Sequence, residues 1–180
     1  IESRRAEMLS FWSKVEDGTI PTRVTHNDTK INNILFDKQG EVLCAIDLDT
    51  VMASTSLNDF GDAIRSYANT GDEDDRDLSR VGLSLEMFRA YTEGYLSQRA
   101  KQLTDSEIDH LAFSARYITF EQVLRFLMDY IDGDTYYKVK YPGHNLVRTH
   151  AQYRLLQSME EHYGEMCRIV RETVDKYRKA

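Results

Sequence analysis

Apolar side chains recur every three or four residues in five segments of the chain, and this spacing predicts amphipathic helices. The predicted helices span residues 6–15, 57–69, 84–98, 105–131 and 146 to the C-terminus. Thr104 and Glu107 form a capping box at the start of the fourth helix, and Asp132-Gly133-Asp134 ends it. The body of the protein is therefore predicted to be helical.

Two short apolar runs, 33–37 and 41–47, lie on either side of Lys38-Gln39-Gly40. This spacing predicts a β-hairpin in which Gly40 supplies a positive φ. Residues 21–26 form a further extended piece, and strand character ends after Asp49. The pattern predicts an α+β fold that is mainly helical, with one small hairpin carried on the helical body.

The composition is that of a folded and acidic domain. Of 180 residues, 41% are hydrophobic and 29% charged, and 30 acidic against 23 basic side chains give a net charge of −7. This charge disfavours nucleic acids and anionic membranes as partners, and no apolar run is long enough to span a bilayer. Cys44 and Cys167 are too few for a disulfide framework, which favours a reducing cytoplasm, and Cys44 is predicted to be a buried small hydrophobe in its strand.

The segment HNDTKINN, residues 26–33, has the form H-x-D-x-K-x-x-N and resembles the catalytic loop of kinases. An attacking hydroxyl needs a carboxylate that orients it and accepts its proton, which is the predicted role of Asp28. Lys30 is predicted to offset the charge of the phosphoryl group, and Asn33 to offer a hard oxygen to Mg²⁺. His26 is predicted to brace the loop through hydrogen bonds to the backbone.

A second acidic motif, Ile46-Asp47-Leu48-Asp49, follows the other hairpin strand. Asp47 is predicted to bind Mg²⁺ beside Asn33, because both residues lie at the ends of adjacent strands. Asp49 either tunes Asp47 and contacts substrate, or caps the following turn. Asp59, with Asp62 as the alternative, is predicted to brace the catalytic loop or to cap the next helix.

These motifs, with Asp59-Phe60-Gly61-Asp62, resemble the aminoglycoside phosphotransferase and choline kinase superfamily over about residues 22–68. Four sequence segments are similar to N-acetylhexosamine 1-kinase-like sugar kinases: HNDTKINNILFD, AIDLDTVM, NDFGDAIR and LRFLMDYIDGD. Weaker sequence similarity extends to about residue 148. The resemblance implies a protein-kinase-like fold with a helical C-terminal lobe. It also implies phosphoryl transfer from ATP, with Mg²⁺, to a hydroxyl of a small sugar-like molecule.

The sequence contains no G-x-G-x-x-G loop and no lysine in a V-A-I-K-like strand. Residues 1–180 are therefore expected to form the C-terminal lobe of a longer kinase-like protein, without the nucleotide-binding lobe. The isolated chain is expected to fold but to be inactive. A hairpin face formed by Val42, Leu43 and Ile46 would be uncovered, which would permit self-association.

Arg125, Tyr67 and either Tyr136 or Tyr137 are the candidates for contacting a sugar acceptor. Arg125 would read hydroxyls and the tyrosines would pack against a pyranose ring. The alternative is that Arg125 pairs with Glu121 and Asp129 on its own helix.

The acidic run 71–75 would suit a cationic acceptor, although a solvated loop is the simpler interpretation. Aminoglycoside, choline or homoserine-type acceptors remain alternatives to a sugar. A non-catalytic binding module is the alternative of another class.

Overall fold

The computed structural model describes residues 1–178, which form six α-helices and four short β-strands. The helices are α1 (Arg5–Glu16), α2 (Ser56–Tyr67), α3 (Leu85–Arg99), α4 (Asp105–Ile131), α5 (His144–Glu161) and α6 (Tyr163–Arg178). The strands are β1 (Arg23–Thr25), β2 (Ile34–Phe36), β3 (Val42–Ala45) and β4 (Met52–Ser54). The α+β class with a mainly helical body is confirmed.

The long helix α4 is the centre of the helical body, and both α2 and α5 pack along it, while α6 packs on α3. Phe60, Phe88, Leu111 and Met159 are fully buried in this core. Each such side chain contributes about 1.5–3 kcal/mol through removal from water. Gly61 is required where α2 crosses α4, because a Cβ there would collide with the carbonyl oxygen of Ser114.

The two helix starts that were predicted from capping residues, those of α3 and α4, are confirmed. Thr104 and Glu107 form the reciprocal capping box at the start of α4, and the Ser84 hydroxyl accepts from the Met87 amide at the start of α3. At the other end of α4 the chain reverses through Gly133, whose φ is +90°. A glycine adopts this conformation without steric cost.

The hairpin of β2 and β3 is antiparallel as predicted, and Gly40 in its turn has a φ of +86°. The expectation that strand character ends after Asp49 is wrong. Met52–Ser54 forms β4, which pairs antiparallel with β1, Arg23 opposite Ser54 and Thr25 opposite Met52. The partner of β4 lies almost thirty residues away, so the local pattern contained no signal for this pairing.

The prediction that Cys44 is buried is also wrong. All four residues of β3 are exposed, and Val42 retains 65% and Leu43 63% of their accessible surface. Alternation along a strand tells which side chains share a face, whereas burial depends on whether another element covers that face. The expected uncovered face of the hairpin is present.

The single helix predicted after residue 146 is two helices that meet at His162. The ψ angle of His162 is 8°, outside the helical range, and α6 begins at the next residue. This break lets α5 pack along α4 while α6 turns onto α3. Among the described residues, no helix combines the length and apolarity needed to cross a membrane.

The acidic run 71–75 is not a freely solvated loop. Asp75 is buried and accepts from Arg80 at 2.6 Å, and Asp74 lies 2.8 Å from the buried His144 ring. Glu73 accepts from Arg65 at 2.8 Å. Only the contact with His144 joins residues far apart in sequence, since Arg80 and Arg65 lie 5 and 8 positions from their partners. A charge run alone specifies neither kind of contact.

Candidate active site

The H-x-D-x-K-x-x-N loop lies between β1 and β2, and Asp59 of α2 binds its backbone. The Asp59 carboxylate accepts from the backbone amides of His26 at 3.0 Å and Asn27 at 2.7 Å. Asn27 has a φ of +60°, a conformation that costs energy for a residue with a Cβ. The two hydrogen bonds to a carboxylate help to hold the loop in this shape.

His26 ties the same loop to the end of β3. Its Nε2 lies 3.0 Å from the carbonyl oxygen of Ile46, and its Nδ1 accepts from the Asp28 amide at 3.3 Å. Because a carbonyl only accepts, these contacts fit a neutral ring protonated on Nε2. His26 therefore contacts backbone atoms, as its predicted bracing role requires.

Asp28, Lys30 and Asn33 converge at one carboxylate oxygen. Asp28 Oδ2 accepts from Lys30 Nζ at 2.7 Å and from Asn33 Nδ2 at 2.8 Å. Within residues 1–178, Asp28 Oδ1 accepts no hydrogen bond from a protein group, so this oxygen is open to a ligand. Partial burial alone would lower the pKa of Lys30, but the hydrogen bond and charge of Asp28, with smaller contributions from Asp47 and Asp62, raise it. Lys30 is therefore a permanent cation beside the carboxylate.

Asn33 and Asp47 lie at neighbouring strand ends. The Ile46 amide donates to the carbonyl oxygen of Asn33 at 2.9 Å, which places Asp47 one residue beyond this pair. Asp47 adopts the left-handed conformation (φ 63°, ψ 60°) at the point where β3 gives way to a turn. The Asn33 amide nitrogen is engaged with Asp28, so its oxygen is the atom that remains for a ligand.

The two side chains fit a phosphate-bridged Mg²⁺. This ion keeps several waters and takes one or two carboxylates together with substrate phosphates. In the part of the chain that the structure describes, no three His, Cys, Asp or Glu side chains form a complete metal cage. The donor set suits a metal that arrives with a nucleotide better than a permanently bound one.

A cavity of about 380 Å³ opens beside this loop. It is lined by Asn27, Asp28, Lys30, Asp47, Asp49, Thr50, Arg65, Glu73, Gln122, Arg125, Phe126, Tyr136, Tyr137 and Arg148. The predicted residues Asp28, Lys30, Asp47, Asp49, Arg125 and Tyr137 are thus brought together around one space. Tyr67 is not part of this lining, because its ring packs against Tyr91 at a centroid distance of 5.4 Å.

The far wall of the cavity is an arginine flanked by tyrosines. The Arg125 guanidinium lies 5.5 Å from the Tyr137 ring centroid and 5.9 Å from that of Tyr136. The alternative that Arg125 pairs with Asp129 is not realised, since Asp129 accepts from backbone amides of the connector after α4. Glu121 and Arg125 make no ion pair among the described residues. Arg125 thus forms part of the cavity wall together with Tyr136 and Tyr137.

Several lining residues were not singled out from the sequence. Gln122 donates to the Tyr137 hydroxyl at 3.3 Å, and its spacing from Arg125 and Phe126 on α4 is the one signal that was available. Arg65 is buried and donates to Asp62 at 2.8 Å and to Glu73 at 2.8 Å. Asp62 therefore holds Arg65, and Arg65 in turn brings the acidic run to the cavity.

A comparison with known families gives one match over more than half of the chain. Residues 2–96 match the family model described as "Phosphotransferase enzyme family" (APH). The matched region runs from residue 2 into α3 and includes the H-x-D-x-K-x-x-N loop, both hairpin strands and Asp59.

Proposed function

The chain belongs to the phosphotransferase enzyme family, and from that premise we propose that the intact protein transfers the γ-phosphoryl group of ATP to a hydroxyl of a small, neutral, sugar-like acceptor. The observation that carries this proposal is the meeting of Lys30 Nζ and Asn33 Nδ2 on one oxygen of Asp28, at the mouth of a polar cavity. A hydroxyl-bearing molecule in this cavity has a carboxylate oxygen available to it.

Asp28 acts as the base in the proposed reaction. Its Oδ1 orients the acceptor hydroxyl and receives the hydroxyl proton as the oxygen attacks the γ-phosphorus. The new bond joins the acceptor oxygen to phosphorus, and the bond from phosphorus to the bridging oxygen breaks, which releases ADP. Lys30, held 2.7 Å from Asp28, offsets negative charge on the transferred group.

Asn33 Oδ1 and Asp47 would hold the Mg²⁺ that accompanies the nucleotide. When bound, this ion neutralises phosphate charge and supplies a fixed reference point for the donor. The protein contributes the rest by positioning, which is the main source of rate in phosphoryl transfer. In support of this role, Asp47 lines the cavity with Asp28 and Lys30, and it follows Ile46, whose amide donates to the Asn33 carbonyl oxygen.

The charges around the cavity favour an acceptor without net charge. Four acidic side chains are matched by four basic ones: Asp28, Asp47, Asp49 and Glu73 against Lys30, Arg65, Arg125 and Arg148. A polycationic aminoglycoside would meet as many cations as anions. A neutral sugar or N-acetylated amino sugar would find hydrogen-bonding groups together with the aromatic faces of Tyr136 and Tyr137.

The size of the cavity supports a small molecule, since about 380 Å³ falls within the usual range of about 300–1,000 Å³ for such sites. Because the sequence resembles N-acetylhexosamine 1-kinase-like enzymes, N-acetylhexosamines are the first acceptors to test. We place the reaction in the cytoplasm, because ATP is the donor and both Cys44 and Cys167 are free thiols.

The proposal is tested by incubating the intact protein with MgATP and a panel of acceptors. The panel holds N-acetylhexosamines, hexoses, an aminoglycoside, choline and homoserine, with ADP release and product mass as readouts. We expect transfer to a sugar. Exclusive transfer to a cationic acceptor, or no transfer to any member, would contradict the proposed function.

Asp28→Asn tests the proposed base. It is expected to fold normally and to lose about 10²–10⁴-fold in turnover. Asp132→Asn, an exposed carboxylate beyond α4, is the matched control and should behave as wild type. Turnover close to wild type in Asp28→Asn would remove Asp28 from the role of base.

A further inference from the structure

Asp129 is a buried carboxylate near the end of α4, with 5% of its surface exposed. Among the described residues it has no cationic partner, and its four hydrogen bonds come from neutral groups. Oδ1 accepts from the amides of Thr135 at 2.9 Å and Tyr136 at 2.8 Å. Oδ2 accepts from the amide of Tyr137 at 2.9 Å and from Asn145 Nδ2 at 2.8 Å. Burial of an anion is costly unless such donors satisfy it.

The chain after α4 is shaped so that three successive amides point back to this carboxylate. Gly133 and Asp134 both have positive φ, +90° and +59°. The Asp134 amide also donates to the backbone carbonyl of Asp129 at 2.7 Å. The reversal brings residues 135–137 over the end of the helix, where the carboxylate binds them.

These three residues carry the aromatic wall of the cavity. Tyr136 and Tyr137 flank the Arg125 guanidinium, and the Tyr137 ring packs on Phe126 at a centroid distance of 4.8 Å. The hydrogen bonds of Asp129 therefore fix the backbone on which this wall is mounted. Asp129 itself does not line the cavity.

A second branch runs from Asp129 through Asn145 to Arg148. Asn145 is fully buried and donates to Asp134 Oδ1 at 2.8 Å, in addition to its bond to Asp129. The Asn145 oxygen accepts from Arg148 Nη1 at 2.9 Å, and Arg148 lines the cavity. The Asp129 carboxylate thus binds the backbone of Tyr136 and Tyr137 directly and is linked to Arg148 through Asn145. These three lining residues come from two different segments of the chain.

We propose that Asp129 is a positioning residue that holds the tyrosine and arginine wall of the acceptor cavity in place. It acts through Tyr136, Tyr137 and Arg148 and touches neither the acceptor nor the reacting atoms. The effect on acceptor binding rests on the proposed function, whereas the anchoring of residues 135–137 does not. An experiment can therefore contradict the effect on acceptor binding without contradicting the anchoring of residues 135–137.

The test is Asp129→Asn in the intact protein. Asp132→Asn, at an exposed carboxylate three residues further along the chain, is the matched control. The asparagine keeps the size of the side chain but presents an NH₂ group to backbone donors, so at least one amide loses its acceptor. Amide hydrogen exchange over residues 132–141 is measured in both variants without any substrate. We expect exchange of amides 135–137 to accelerate about tenfold or more in Asp129→Asn, with α2 unchanged.

Steady-state kinetics with N-acetylglucosamine as the probe then separate positioning from general damage. We expect KM for the sugar to rise about tenfold, while kcat and the KM for MgATP stay within about threefold of wild type. Unchanged exchange at 135–137 would overturn the anchoring. Faster exchange with an unchanged sugar KM would overturn the effect on the acceptor wall, as would equal losses in both KM values and kcat.

If the wild-type protein phosphorylates no sugar, the proposed function fails and the exchange experiment alone decides the anchoring role of Asp129. Accelerated exchange confined to the connector would support that role, and exchange equal to that of Asp132→Asn would overturn it.

A calorimetric titration with N-acetylglucosamine gives a second measure of the acceptor site that does not depend on turnover. Weaker binding in Asp129→Asn than in Asp132→Asn is the expected result.

Discussion

Glu107 joins the two segments that flank the H-x-D-x-K-x-x-N loop to the central helix α4. Its side chain has no exposed surface, and its Oε1 accepts from Arg23 Nε at 2.7 Å and from the Ser56 hydroxyl at 2.7 Å. Its Oε2 accepts from Arg23 Nη2 at 2.7 Å and from the Thr104 amide at 2.8 Å. Arg23 lies in β1 before the loop, and Ser56 begins the helix that carries Asp59. We predict that Glu107→Gln destabilises the chain by about 3 kcal/mol at neutral pH.

Two independent arguments give this magnitude. Removing one partner of a buried ion pair costs about 3–5 kcal/mol, and the lower end applies because the Arg23 side chain keeps 27% of its surface exposed. Burial alone would raise the pKa of Glu107, but the hydrogen bonds from Arg23, Thr104 and Ser56 outweigh it and lower the pKa from 4.5 to about 2. At about 1.4 kcal/mol per pKa unit, this shift corresponds to about 3 kcal/mol.

The direction of the pH dependence follows from the lowered pKa. The stabilisation is complete above the unfolded value of 4.5 and is lost as the pH falls through the folded value of about 2. The difference in free energy of unfolding between wild type and Glu107→Gln should therefore be largest at neutral pH and decrease progressively in acid. Glutamine cannot ionise, so the difference between the two proteins isolates this one carboxylate from all others.

Urea unfolding followed by circular dichroism measures the free energy of unfolding at neutral pH and at a pH of about 3. At neutral pH the variant should also melt about 6–12 °C lower, from about 2–4 °C per kcal/mol in a chain of this size. Asp109→Asn, an exposed carboxylate on the same helix, is the control and should stay within about 0.5 kcal/mol of wild type. A neutral-pH gap below about 1 kcal/mol, or a gap that does not change with pH, would refute the reasoning.

Three further predictions concern the site and the hairpin. Asp47→Ala should abolish the Mg²⁺ dependence of nucleotide binding, because neutral Asn33 alone is a weak ligand for a hard dication; calorimetry with MgATP and with ATP in EDTA measures this, and an unchanged dependence would point to Asp49. Asp59→Asn should lower kcat about tenfold or more with little change in helix content, because the amides of His26 and Asn27 lose their carboxylate; steady-state kinetics and circular dichroism measure the two quantities, and either a wild-type kcat or a loss of helix content would contradict this. Cys44 should react with a thiol reagent in the folded protein at close to the rate of a free thiol, since it is exposed; Cys44→Ser should remove that fast phase, and a slow reaction of the wild type would show that the hairpin face is covered.

The sequence by itself determined those features that depend on neighbours along the chain. Helical periodicity located α1 to α4, and the capping pair of Thr104 and Glu107 fixed the start of α4 to the residue. The hairpin followed from two apolar runs and Gly40. The H-x-D-x-K-x-x-N loop could be recognised because a kinase-type loop places its proposed base, cation and amide within eight positions. Local spacing suffices when the interacting groups lie within one or two turns of chain.

The tertiary structure decided everything that depends on distant segments. The pairing of β4 with β1, the exposure of Cys44 and the contact of Asp74 with His144 all involve partners, or missing partners, far away in sequence. The cavity wall is the clearest case, because Gln122 and Arg125 of α4, Tyr137 of the connector and Arg148 of α5 become neighbours only when α4 and α5 pack together. Charge and apolarity in a sequence specify what a side chain can bind, whereas packing of the helices specifies what lies within its reach.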